Sequence, residues 1–160
     1  MKNDTLIKAP SPLKVLATSL ITTIWIGYGV ALLQIFNRTT FNLANVILYY
    51  RGDPADENAI HLPQSFASLV SVAHVHSLSQ PMMLALIGLV FAFSTATNRT
   101  KNIFIIMAFA ASLVSNAAPW LIRYVSPSAV FLLPLSQAGL AVSFLVMSVI
   151  PLSDMWFRKK

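Results

Sequence analysis

The clearest indication of the fold is the sequence of residues 62–98, LPQSFASLVSVAHVHSLSQPMMLALIGLVFAFSTATN. This stretch contains no Asp, Glu, Lys or Arg. A helix needs about 20 mostly apolar residues to cross the hydrocarbon layer of a membrane, because the layer is roughly 30 Å thick and each residue rises about 1.5 Å. The stretch therefore predicts a transmembrane helix over about residues 65–96.

Three other uncharged runs flank this stretch, and each is long enough to cross a membrane. They cover residues 15–37, 102–122 and 124–153. They predict helices over about residues 14–37, 102–123 and 128–151. The predicted fold is all-α: a four-helix transmembrane bundle in one domain, residues 11–160, preceded by a flexible cytoplasmic tail at residues 1–10.

The composition excludes most soluble classes of protein. Of the 160 residues, 56% are hydrophobic and 10% are charged, and the mean hydropathy is +0.70. Soluble domains are usually about 25% charged, and a water-soluble globule of this size has too much surface to hide so many apolar groups. A nucleic-acid partner is not expected despite the net charge of +6. Without cysteine the chain has no disulfide, thiolate zinc site or iron–sulfur cluster.

The basic residues predict the orientation of the spans, because positively charged loops stay in the cytoplasm. Eight basic residues would share one side if both termini lie there: Lys2, Lys8, Lys14, Arg99, Lys101, Arg158, Lys159 and Lys160. The other side would carry three: Arg38, Arg51 and Arg123. We expect both termini in the cytoplasm, with the first span kept as an uncleaved anchor and residues 154–160 anchoring the inner interface.

The segment between the first two spans is the only sizeable loop. Thr40 is predicted to cap a short helix over residues 41–51 that ends at Gly52. Aromatic side chains, among them Tyr49 and Tyr50, favour a position at the water–lipid boundary. The loop thus adds a short outer interfacial helix to the predicted bundle.

All three histidines follow this helix: His61, His74 and His76. Counting about 20 residues back from Thr95 places the last two near the outer edge of the second span. Positions i and i+2 of a helix point roughly 200° apart, so the pair is poorly placed to grip one metal ion. His76 instead shares a helix face with Gln80.

Three interpretations of the histidines remain open. His74 or His76 could bind b-type haem, with a second ligand from His61, a methionine or another subunit. Alternatively, a divalent metal such as zinc or copper could be held at the outer face. Its ligands would come from this set: His61, His74, His76, Asp53, Asp56 and Glu57. In the third interpretation the histidines only hydrogen-bond neighbouring helices or lipid headgroups.

Polar side chains also mark the last two spans. Ser112, Ser115, Asn116 and Pro119 fall on one helix face, and Gln137 lies in the fourth span. Such residues commonly join membrane helices to each other. We expect helix packing here, with a pocket for a quinone or small solute as the alternative. Arg123 is expected to reach the headgroups or to pair with the acids of the loop.

Several short motifs together resemble a family of small four-span bacterial membrane proteins. They are Tyr49-Tyr50-Arg51-Gly52-Asp53, Ser65-Phe66 with Leu69, His74-Val75-His76, Pro81, and Pro151-Leu152-Ser153-Asp154-Met155-Trp156. The resemblance implies the four-span fold and a bacterial inner-membrane location. It also draws attention to five residues as a functional group at the outer face: Tyr50, Arg51, Gly52, His74 and His76.

The sequence favours a small integral membrane protein with a ligand or metal site of His, Arg and acidic residues at its outer face. The protein would contact the lipid bilayer and a membrane-protein partner or a second copy of itself, as in a subunit of a larger complex. One alternative is a redox anchor linked to b-haem or quinone, and another is a structural or assembly protein without a cofactor. No sequence motif identifies a reaction.

Overall fold

The computed structural model describes residues 6–53 and 62–158, and the regular structure within them is helical. Its helices are α1 (Ser11–Thr39), α2 (Leu43–Arg51), α3 (Phe66–Ala92), α4 (Asn98–Trp120), a π-helical turn (Leu121–Val125), a 3-10 turn (Pro127–Phe131) and α5 (Leu132–Trp156). Four helical segments are long and apolar enough to cross a membrane. These four segments and the short α2 confirm the predicted all-α bundle and its interfacial helix.

The connection between α1 and α2 differs from the prediction in one residue's role. Thr40 does not cap α2; it adopts a left-handed conformation, with φ of 51°, and its N–H closes the end of α1 on the Phe36 carbonyl. Asn42 caps α2 instead, because its side chain accepts a hydrogen bond of 2.8 Å from the amide of Ala44. The prediction of Thr40 as the helix cap was therefore wrong by two residues.

The main core lies among α3, α4 and α5. Its buried side chains include Leu84, Ile87 and Phe91 from α3, packed against Ala108 of α4 and Met147 of α5. The helices α4 and α5 approach closely where Gly139 faces Ala111, since a Cβ added at Gly139 would lie 3.2 Å from the Ala111 side chain. Small residues at such points let membrane helices pack backbone to backbone.

The helix α1 is joined to α5 along the end of the bundle opposite α2. Lys14 Nζ donates to the Met155 carbonyl at 2.8 Å, Trp156 Nε1 donates to Thr18 Oγ1 at 3.0 Å, and Trp25 Nε1 donates to Ser148 Oγ at 3.0 Å. Tyr28, whose hydroxyl donates to the Gln137 carbonyl, makes the last of these hydrogen bonds from α1 to α5 in the direction of α2. The turns of α1 that follow Tyr28 line a cavity. The bonding pattern therefore leaves room between α1 and the core at one end only.

The end opposite α2 is held together by Asp154, which is fully buried. Its carboxylate accepts hydrogen bonds from the backbone N–H and the hydroxyl of Thr95, at 2.6 and 2.8 Å, and pairs with Arg158. Asp154 therefore fastens α5 to the connection between α3 and α4.

The first residues of the predicted flexible tail, 1–5, lie outside the described residues. The next residue, Leu6, packs against Ala17 and Met155.

Candidate functional site

A cavity of about 780 Å³ lies between α1 and the other helices, at the end of the bundle that carries α2. We call this the α2 end. Apolar side chains such as Leu32, Leu69 and Leu140 make up most of the wall. Polar side chains enter it at two levels: Arg38, Tyr49, Tyr50 and Gln64 at the rim, and His76, Gln80, Ser115, Asn116 and Gln137 farther along the helices.

The structure separates the two predicted histidines of α3. His76 lines the cavity, whereas His74 does not, as the roughly 200° between positions i and i+2 requires. Both side chains are exposed in the single chain, and neither makes a hydrogen bond within the described residues.

His76 lies almost three turns from the start of α3. The helix α3 begins at Phe66, ten residues before His76, so about 15 Å of helix separates His76 from the end of the span. The ring of Phe66 meets Trp120, with centroids 5.4 Å apart, and Trp120 stacks on Tyr124. Aromatic groups of this kind mark the membrane interface. His76 therefore lies farther along α3 than these rings, and its depth in the membrane stays a prediction.

Gln80 connects the cavity to the polar face of α4. Its Oε1 accepts hydrogen bonds from Ser112 Oγ at 2.8 Å and from Asn116 Nδ2 at 2.9 Å. Across the same helix, Gln137 Nε2 donates to Ser115 Oγ at 3.0 Å. The polar side chains of α4 thus join it to α3 and α5, which confirms the expected role in helix packing.

These hydrogen bonds leave several polar atoms unused. Gln80 Nε2, Gln137 Oε1 and Asn116 Oδ1 have no hydrogen-bond partner among the described residues, and the same holds for the His76 ring. No fully buried side-chain nitrogen or oxygen of the described residues lacks a partner. The unused atoms are therefore accessible, and four side chains that line the cavity can still donate or accept hydrogen bonds.

At the rim, Arg38 and two tyrosines form a stacked group. Arg38 Nη1 donates to the Tyr49 hydroxyl at 2.9 Å, and its guanidinium lies 5.5 Å from the centre of that ring. The Tyr49 and Tyr50 rings meet edge to face at 5.0 Å. Burial raises the pKa of Tyr50 to about 12; Tyr49 adds to the increase, and Arg38 opposes it. Tyr50 is therefore a neutral hydrogen-bonding group at physiological pH.

Two arginines at this end, Arg51 and Arg123, hold the rim in place. Arg51 Nη1 donates to the Ile122 carbonyl at 3.0 Å, and Arg123 Nε donates to the Gln64 carbonyl at 3.1 Å. The π-helical turn lets the Ile122 carbonyl accept from Arg51, because the Ser126 N–H, which would bond this carbonyl in an α-helix, donates to the Leu121 carbonyl instead. The two arginines thus hold α2 and the segment before α3 against the π-helical turn.

Gly52 ends α2 in a conformation that favours glycine. Its φ of 73° is positive, and its N–H closes the helix on the Leu48 carbonyl.

Three residues of the predicted metal site, Asp56, Glu57 and His61, lie outside the described residues. Within the parts of the chain that are described, no three His, Asp or Glu side chains are grouped to hold a metal ion. The metal site stays a prediction.

Sequence reasoning missed part of the cavity lining, namely Tyr28, Arg38 and Gln64. A signal existed for Tyr28, since a hydroxyl placed deep in a span needs a partner. It donates to the Gln137 carbonyl at 3.2 Å. Sequence reasoning also assigned Asp154 only to an interfacial anchor, although its carboxylate is buried and bonded to Thr95.

The comparisons with known proteins agree with this architecture. No curated protein and no solved structure matches the chain significantly. A family model described as a transmembrane helical domain matches residues 40–160, which comprise the interfacial helix, the last three spans and most of the cavity wall. The protein is thus an integral, multi-pass membrane protein, and the chain belongs to the Aq_1264_TM family of transmembrane helical domains.

Proposed function

We propose that the protein binds a lipophilic molecule in the cavity between α1 and the other helices. The observation that carries the proposal is the cavity itself: about 780 Å³, mostly apolar, with hydrogen-bonding side chains converging on it. Binding sites for small molecules typically measure about 300–1,000 Å³ and combine apolar walls with a few polar groups. Close-packed helices leave few voids larger than a water molecule. A partly open cavity of this size between the helices therefore favours an occupant.

The chain offers a matched pair of variants for this proposal. Gly27 lines the cavity and Gly29 does not, and a Cβ added at either position meets nothing within 4 Å. Gly27→Leu therefore places a new side chain in the cavity, whereas Gly29→Leu places one of the same size outside it. Both variants are expected to fold, because leucine favours a membrane helix more than glycine does.

The test is to purify each protein in mild detergent, extract it with organic solvent and identify the bound molecules by mass spectrometry. We expect the unmodified protein and Gly29→Leu to retain one class of lipophilic molecule in constant ratio to protein. We expect Gly27→Leu to lose most of it. Equal amounts in both variants, or none in the unmodified protein, would contradict the proposal.

The metal site predicted from His61, His74 or His76 and the acids of the loop after α2 is a separate proposal about the same end of the molecule. The loop leaves α2 at Gly52 and returns at Gln64, whose N–H donates to the Tyr50 carbonyl at 3.1 Å. This bond joins the two described ends of that segment. Elemental analysis of the purified protein and of His61→Ala tests the proposal, and an absorption spectrum of the same samples tests the haem alternative.

A further inference from the structure

We infer that the ligand has an electrically neutral head group, of the quinone–quinol type, seated deep in the cavity at His76, Gln80 and Gln137. This inference rests on the proposed function, because it takes the cavity as the binding site. It adds the chemical class of the ligand and the direction in which it enters. The apolar tail of the ligand would pack against the aliphatic walls.

The charges that line the cavity favour a neutral head group. The deeper level of the lining carries no Asp, Glu, Lys or Arg among the described residues; the one such residue in the lining is Arg38, at the rim. A charged group moved from water into a span is costly unless an opposite charge meets it. A phosphate or carboxylate head would therefore stay beside Arg38. A head that enters the cavity to the level of His76 must be neutral.

The unused hydrogen-bonding atoms of the lining favour a polar head group in the interior of the cavity. A phospholipid held at Arg38 would place its acyl chains against His76, Gln80 and Gln137. Polar atoms that face hydrocarbon without a partner lose the hydrogen bonds they make in water, which is unfavourable. A head group with oxygen atoms at this depth would restore those bonds. The lining thus favours a polar head in the interior over an aliphatic chain.

The lining offers both hydrogen-bond donors and hydrogen-bond acceptors, which suits a quinone as well as a quinol. Gln80 Nε2, the Ser115 hydroxyl and an imidazole N–H can donate to the carbonyl oxygens of a quinone. Gln137 Oε1, Asn116 Oδ1 and the second imidazole nitrogen can accept from the hydroxyls of a quinol. The side chains come from α3, α4 and α5, so they approach a planar head group from different sides. The site can therefore satisfy both forms of the same ligand, and the inference concerns binding alone.

The test uses the full chain in detergent and a short-tailed benzoquinone, decylubiquinone, as the probe. Quinones quench tryptophan fluorescence at short range, and Trp120 lines the cavity. We expect saturable quenching by the probe, and we expect phosphatidylglycerol to compete poorly with it. His76→Leu should weaken binding about tenfold, as the loss of one hydrogen bond to the ligand does. His74→Leu is the matched control, and we expect it to bind as the unmodified protein does.

Two results would overturn the inference. One is equal affinity for the probe in His76→Leu and His74→Leu. The other is displacement of the probe by phosphatidylglycerol, with binding that depends on Arg38, as Arg38→Gln would reveal; that result would identify an anionic lipid. The histidine variants should fold, because neither side chain bonds to another described residue, and size-exclusion profiles verify this.

Failure of the inference is distinguishable from failure of the proposed function. If Gly27→Leu leaves both the lipid content and probe binding unchanged, the cavity is not the binding site and both ideas fail. If Gly27→Leu expels a bound molecule while His76→Leu and His74→Leu behave alike, only the neutral head group is wrong.

Discussion

Polar side chains inside the spans have different roles because their neighbours differ. The Gln80 amide joins two helices through Ser112 and Asn116, and the Asp154 carboxylate is enclosed by Thr95 and Arg158. Unlike these two, His76 faces the cavity without a partner among the described residues. A paired polar atom holds helices together, whereas an atom without a partner among the described residues, such as Gln80 Nε2 or a nitrogen of the His76 ring, favours binding. This contrast is the reason that the proposed ligand site is centred on His76.

Tyr50 gives a prediction about pH. Its pKa is about 12 in the folded protein and 10.0 in an ordinary environment, so the fold favours the protonated phenol. Below pH 10 this group leaves the stability unchanged. As the pH rises from about 10 to 12, the unfolded chain loses the phenol proton before the folded one does, so stability is lost.

Alkaline titration of tyrosinate absorbance tests this prediction. We expect the folded protein to show a component near pH 12 that disappears in Tyr50→Phe. The Tyr50→Phe variant should also lose less stability over the same pH range in thermal melts. Tyr124→Phe, which alters an exposed ring at the same end, is the control and should keep the late component. A late component that survives in Tyr50→Phe would refute the assignment.

At the scale of elements, α2 depends on the π-helical turn for its position. Arg51 reaches across to the Ile122 carbonyl, and Val46 packs against Ile122 and Val130. We predict that Arg51→Ala loosens α2 while leaving the core of α3, α4 and α5 intact. The expected loss is about 1–2 kcal/mol of local stability, typical of a hydrogen bond from a charged group.

Hydrogen–deuterium exchange of the detergent-solubilised protein measures this effect by segment. In Arg51→Ala, amides of residues 43–51 should exchange about tenfold faster, and those of residues 132–156 should not change. Arg99→Ala removes an exposed arginine at the opposite end and should leave α2 protected. Uniformly faster exchange in Arg51→Ala would indicate a general loss of stability and contradict a local clamp.

At the scale of the whole molecule, the spans expose large apolar side chains, among them Leu33, Leu113 and Leu135. Hydrocarbon chains of the bilayer cover such surfaces, so contact with lipid follows from the four spans. An even number of spans also puts both ends of the described chain on one side of the membrane. A membrane-protein partner or second copy of the chain stays a prediction.

The cytoplasmic location of the termini is the prediction to test at this scale. The eight-to-three division of basic residues favours it. We expect a C-terminal green fluorescent protein fusion in a bacterial host to fluoresce and a C-terminal alkaline phosphatase fusion to be inactive. Moving the basic charge by Arg99→Glu and Lys101→Glu should lower fluorescence, whereas Arg51→Glu should not. An active phosphatase fusion of the unmodified chain would reverse the topology and contradict the inner-face assignment.

The amino-acid sequence alone was enough to predict the number of spans and the presence of α2. These features depend on uninterrupted apolar runs and local turns, because a backbone in hydrocarbon must satisfy its own hydrogen bonds within each helix. The same reasoning misplaced the cap at Thr40, where positive φ angles at Thr40 and Phe41 reverse the chain within two residues.

Which polar residues meet depends on how the helices pack against one another. The sequence identified Gln80, Asn116 and Gln137 as polar positions in three different spans, but the rotation of each helix determines which of them face one another. It also determines that His76 and not His74 faces the cavity, and that α1 leaves the core after Tyr28. A cavity arises from the packing of distant segments, so no local pattern of residues encodes it.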